Sequence, residues 1–178
     1  MRRINLMMIV FAFPLVIPLG AAGAKLAAPS EAASFLGQAA GGQQSEIELG
    51  QLAMQKAGNE QVKQFGTRMV QDHQKAQQEI RRLATKEGVS LRIEPSEQHQ
   101  QQKAQLSQLS GKEFDRAYIT LMLRDHTKNM KHFEQHALVE PNQEIRQWTA
   151  SALPVIKQHL EKVKTIAAAL GIDPASAP

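Results

Sequence analysis

Apolar side chains recur at three- and four-residue spacing in four long stretches of this chain, the interval at which an α-helix returns to the same face. Residues 30–57 carry Phe35, Ala39, Gly42, Glu46, Leu49 and Ala53 on one stripe, and residues 59–87 carry Val62, Phe65, Met69, His73, Ala76, Ile80 and Leu83. Residues 112–139 carry Asp115, Ile119, Met122, His126, Met130, Phe133 and Ala137. The last stretch, residues 142–170, carries Ile145, Trp148, Ala152, Ile156, His159, Val163, Ile166 and Leu170. Start and stop signals agree with these limits. Ser30, Asn59 and Asn142 are N-cap residues, and Gly58, Gly88 and Gly171 can end the helices before them. The Gly58-Asn59 junction is short enough to force an antiparallel hairpin. Gly41 and Gly42 weaken the first helix by about 1 kcal/mol each relative to alanine and mark a bend or a close contact, and Pro154 should kink the last helix.

Between the second and third long stretches, residues 89–95 read as extended, residues 96–109 as a short Gln-rich helix, and Ser110-Gly111 as a break. Extended residues advance about 3.3 Å each and helical ones about 1.5 Å, so this segment can travel back along the second helix, about 43 Å. The pattern therefore predicts an all-α fold over residues 31–171: a four-helix bundle with a long crossover, containing a short extra helix, between helices 2 and 3. Residues 25–30 form a linker and residues 172–178 a flexible tail.

Each apolar stripe contains a polar group: Glu46, His73, His126 and His159. All four lie within about three residues of the midpoint of their segment, so they share one central layer whichever way each helix runs. Asp72 sits beside His73 at the edge of its stripe, and Asp115 and Tyr118 lie two to three turns from His126. Two readings fit. In one, Glu46, His73, His126 and His159, with Asp72, surround one transition metal, Zn, Fe, Mn or Cu, because imidazole and carboxylate suit these ions and bundle cores house them. In the other, Glu46, Asp72, His73, Asp115, Tyr118, His126 and His159 form a buried hydrogen-bond network with no metal. His132 and His136 are spaced i, i+4 but fall off the His126 stripe, and read as solvent-facing. No catalytic set is evident, neither Ser-His-Asp nor a phosphate loop nor a dinucleotide fingerprint.

Composition narrows the setting. A chain of 178 residues supports one domain with a proper core. The absence of cysteine removes disulfides, thiolate metal sites and cysteine nucleophiles together. Of the formal charge of +4, Arg2 and Arg3 supply two, and the remaining basic residues are interleaved with acids, which argues against nucleic acid as a partner. Those arginines, the apolar run over residues 9–19 and Ala22-Gly23-Ala24 have the form of a signal peptide, residues 1–24. The mature protein is then expected to be exported, to the periplasm or the outer membrane, without a transmembrane span.

The runs Phe35-Leu36-Gly37-Gln38-Ala39-Ala40, Glu46-Ile47-Glu48-Leu49-Gly50, Met69-Val70-Gln71-Asp72-His73, Gly111-Lys112-Glu113-Phe114-Asp115-Arg116-Ala117-Tyr118 and Leu153-Pro154 with His159-Leu160 resemble the bacterial domain-of-unknown-function family 4142. The resemblance spans residues 35–170. It implies a ferritin-like bundle with the crossover placed as above, and its members are often labelled predicted outer membrane proteins; it implies no activity. Di-iron ferritin sites use Glu-x-x-His on two helices, and here Val70 and Ile156 stand where those glutamates would be. A di-iron centre is therefore not expected. The function expected first is a non-enzymatic envelope component, in binding or stress response. The alternatives are a metal-binding or redox protein with a mononuclear His/Glu site, and a structural module whose Gln-rich crossover, residues 98–108, contacts an envelope protein.

Overall fold

A computed structural model describes residues 30–173. The expected signal peptide, all but the last residue of the linker, and tail residues 174–178 lie outside the described residues. Within them the protein is all-α, with helices α1 (Glu31–Lys56), α2 (Glu60–Lys86), α3 (Glu97–Ser107), α4 (Gly111–Val139) and α5 (Gln143–Ala169). The described residues form no strand, only an isolated parallel bridge between Ala57 and Gly111.

Local chemistry sets the ends. Ser30 Oγ accepts from Ala33 N at 3.1 Å, Asn59 Oδ1 from Gln61 N at 2.8 Å, and Asn142 Oδ1 from Glu144 N and Ile145 N at 3.0 and 3.1 Å. Each satisfies amides that a helix start leaves without a partner. Gly88 (φ 65°) and Gly171 (φ 64°) take the left-handed conformation that terminates a helix at low steric cost. Gly58 does not. Its helix ends because Ala57 turns extended (φ −66°, ψ 141°), and the freed amides of Gly58 and Asn59 go to the Asp115 carboxylate at 3.1 and 2.9 Å. Gly58 is needed for space, since a Cβ there would lie 2.9 Å from Gly111 Cα.

α1 packs on α2 and α4 on α5, with α2 against α5 and α1 against α4. The α1–α2 contact is close: a Cβ on Gly66 would sit 2.8 Å from both the Gly50 carbonyl oxygen and Ala53 Cβ. The crossover runs as expected. Val89, Leu91 and Ile93 alternate inward as a half-buried strap, its backbone reaching Gly41, where a Cβ would meet the Glu94 carbonyl oxygen at 2.5 Å. α3 then lies against α1 and α4, burying Leu106. Ile172, assigned to the tail by the sequence, is 6 % exposed and packs in the core.

The core comes in two parts. One is built around Leu49, Phe65, Met69, Tyr118, Met122 and Val163, the other around Phe35, Leu36, Ile80, Leu83, Ile145 and Trp148. Fully burying a side chain of this kind stabilises the fold by about 1.5–3 kcal/mol, and both clusters recruit from α1, α2, α4 and α5. Along these helices, the buried polar side chains of Glu46, His126 and His159 fall between the two clusters. No described helix is long and apolar enough to cross a membrane.

Candidate functional site

His73, His126 and His159 continue the apolar stripes of α2, α4 and α5, one turn beyond Met69, one turn beyond Met122 and one turn before Val163. Helical periodicity therefore turns all three rings inward, and the packing brings them together. One nitrogen from each ring lies within 4.8 Å of one from each of the other two. The ring centroids are 5.4 Å apart for His73–His159 and His126–His159, and 6.3 Å for His73–His126. Phe65 meets two of them from the first core cluster, 6.2 Å from the His159 ring and 6.5 Å from that of His126.

Every ring has an oxygen behind it. His73 Nδ1 is 2.5 Å from Gln43 Oε1, His126 Nδ1 is 3.0 Å from the Met122 carbonyl oxygen, and His159 Nε2 is 3.0 Å from Asp72 Oδ2. An amide oxygen, a carbonyl and a carboxylate can only accept, so in each case the ring nitrogen donates. The tautomers follow, leaving His73 Nε2, His126 Nε2 and His159 Nδ1 without protons. His73 Nε2 and His159 Nδ1 are sealed from solvent and have no hydrogen-bond partner.

Electrostatics keep the rings neutral. Burial first, and then the neighbouring imidazoles, hold His73 well below its usual value against the opposing pull of Asp72. Burial and then His159 bring His126 down to about 3. His159 is lowered by burial too, although its bond to Asp72 works the other way. For Asp72, burial acts upward, but hydrogen bonds from Arg68 and His159 hold its carboxyl below the usual range. Arg68 and Lys75 both pair with it from the solvent side.

The other residues singled out by the sequence separate from this group. Glu46 is buried at 6 % exposure, but the cluster of three imidazoles does not include it. Its Oε2 has no partner, and burial, reinforced by Asp125, pushes its carboxyl up to about 8, so it stands as a neutral acid at pH 7. Asp115 does not join a central network: it is committed to the α1–α2 turn through Gly58 and Asn59. Tyr118 is fully buried, stacked on Phe114 at 5.6 Å, with its hydroxyl unpartnered and Glu46 the charge that bears on it. His136 is not solvent-facing; it stacks on Phe35 at 3.5 Å and pairs with Glu140 at 2.6 Å. Gln43 was missed by sequence reasoning. Its signal was its place three residues before Glu46, on the same face of α1.

Chemically, three neutral imidazoles that come together with one bare nitrogen each, every ring fixed by an oxygen beside it, have the composition of histidine metal ligands with their outer supports. No curated protein and no solved structure matches the chain. The family described as "Domain of unknown function (DUF4142)" matches residues 18–166, most of the chain, and the protein belongs to that family.

Proposed function

We propose that the protein is a metal-binding component of the cell envelope, holding one late first-row divalent cation through His73, His126 and His159 within a ferritin-like four-helix bundle. The reading rests on one observation: one ring nitrogen from each of the three histidines lies within 4.8 Å of the other two, and His73 Nε2 and His159 Nδ1 are buried with nothing to bond. Lone pairs facing one another repel. A single water could donate to two of them and leave the third unpaired, whereas a cation accepts from all three. That asymmetry favours the metal over the hydrogen-bond network, which would need a proton donor inside the triangle.

The donor set selects the ion. With Glu46 outside the group, no carboxylate is supplied directly, and three imidazoles suit Zn(II) or Cu(II) better than Mn(II), which prefers oxygen ligands. Rings held neutral at pH 7 are ready to bind without first losing protons. Export is the second part of the proposal, supported by the basic, apolar and small-residue segments of residues 1–24.

Untagged protein, stripped with a chelator and dialysed against Zn(II) or Cu(II), should retain one ion per chain and melt at a higher temperature. His126→Gln combined with His159→Gln should abolish both effects while keeping a helical circular-dichroism spectrum. Absence of retained metal in the native sequence, or undiminished retention in the double variant, overturns the assignment.

A further inference from the structure

Two cavities reach the histidine layer, and they differ in what they offer. The larger, about 610 Å³, lies beneath the crossover strap and touches the triad only through His73, among charged groups that include Glu94, Asp125 and Lys128. The smaller, about 280 Å³, opens between α2 and α5 and has both His73 and His159 in its lining. Its other walls include Phe133, Trp148, Ala152, Val155 and Ile156, and Val155 is left 37 % exposed. Of the two, the cavity on the α2–α5 side is therefore the one that touches two of the three rings.

We infer that a metal held by the three histidines completes its coordination with a molecule entering through this cavity, and that the class fitting it is a small aromatic carboxylate. The inference rests on the metal reading above. Three protein ligands leave a four- or five-coordinate ion with an open position, as in sites where the ion acts on an exogenous ligand. Neutral imidazoles leave the dication's charge uncompensated. Asp72, the carboxylate bonded to the triad, is one hydrogen bond further out, where His159, Arg68 and Lys75 already engage it. An anionic head is favoured at the open position. Behind it one wall, with Phe133, Trp148 and Ile156, is apolar and includes an indole and a phenyl ring, which pack best against another ring in offset or edge-to-face contact, while the α2 side carries Lys75 between Asp72 and Glu79. A volume of about 280 Å³ takes a single ring with a short carboxylate arm and excludes a nucleotide or a flavin.

Co(II) supplies a visible probe of coordination, and the only tryptophan of the chain, Trp148, reports on the cavity wall by fluorescence. Phenylacetate should alter both the Co(II) absorption and the Trp148 emission at concentrations at least about tenfold below those needed with acetate, a difference of about 1.4 kcal/mol. Two variants narrow the cavity without touching a ligand: Ala152→Phe within it and Val155→Phe at its half-open edge, the second tolerable for folding because it faces solvent. Both should take up one Co(II) and lose the phenylacetate response by about tenfold or more. Equal response to acetate and phenylacetate, or a response unchanged in Val155→Phe, refutes the inference while leaving the metal site intact. Failure of the native protein to bind Co(II), Zn(II) or Cu(II) refutes the metal reading itself.

Discussion

Replacing Glu46 with glutamine keeps the shape of the side chain and removes its proton equilibrium. The consequence can be worked out from its surroundings. In the folded protein, burial and then Asp125 raise the carboxyl from 4.5 to about 8. The unfolded chain releases that proton near pH 4.5 and the folded chain near pH 8, so through that interval the folded state holds the extra proton and stability falls as the pH rises. Integrated from pH 5 to pH 8, the loss is about 3 kcal/mol. The histidines act in the opposite sense on the acid side. His126 is lowered from 6.5 to about 3, so below pH 6.5 the unfolded chain takes up protons that the folded one refuses, and stability falls as the pH drops. Metal-free protein should therefore be most stable near pH 6.5. Urea unfolding of chelator-treated native protein and Glu46→Gln at pH 5 and pH 8 tests this directly: relative to the native protein, the variant should gain about 3 kcal/mol between the two. Stability curves that stay parallel, within about 1 kcal/mol across the interval, would refute a neutral acid buried at this position.

Three further substitutions probe separate parts of the structure. Asp72→Asn removes the carboxylate that orients His159 and should weaken Zn(II) binding by about 10- to 100-fold in a chelator competition; unchanged affinity would show that the ring is held by packing alone. Gly66→Ala presses a methyl group against the Gly50 carbonyl and Ala53, and overpacking of this kind should cost about 1–3 kcal/mol in urea unfolding; a neutral result would mean that α1 and α2 can separate freely. Asp115→Ala strands the amides of Gly58 and Asn59 and should cost about 2–3 kcal/mol. A loss below about 0.5 kcal/mol would place those amides in contact with water instead.

The four apolar stripes, their capping residues and the length of the crossover were legible in the sequence, because helical periodicity and capping are local and depend on residues within one or two turns. So were the presence of polar groups on the core-facing stripes and the common depth of the three histidines. Membership of that layer did not decide which groups touch. Glu46 shares the depth of the histidines, yet the cluster of three rings leaves it out, and Asp115 is drawn away to a turn made by another part of the chain. Gly58 carried a helix-stop signal but acts by allowing Gly111 to approach.

What the sequence by itself determined is the all-α architecture and an imidazole on each of α2, α4 and α5 at matching height. Only the tertiary structure decided that these rings converge and that Gln43 and Asp72, from 30 and 87 residues away, fix which nitrogen of His73 and His159 is left bare. The reason is geometric. Periodicity assigns a side chain to a face of its helix, but a coordinating centre depends on ring rotation and on the azimuth at which separate helices pack, and those are set by contacts among residues far apart in the chain.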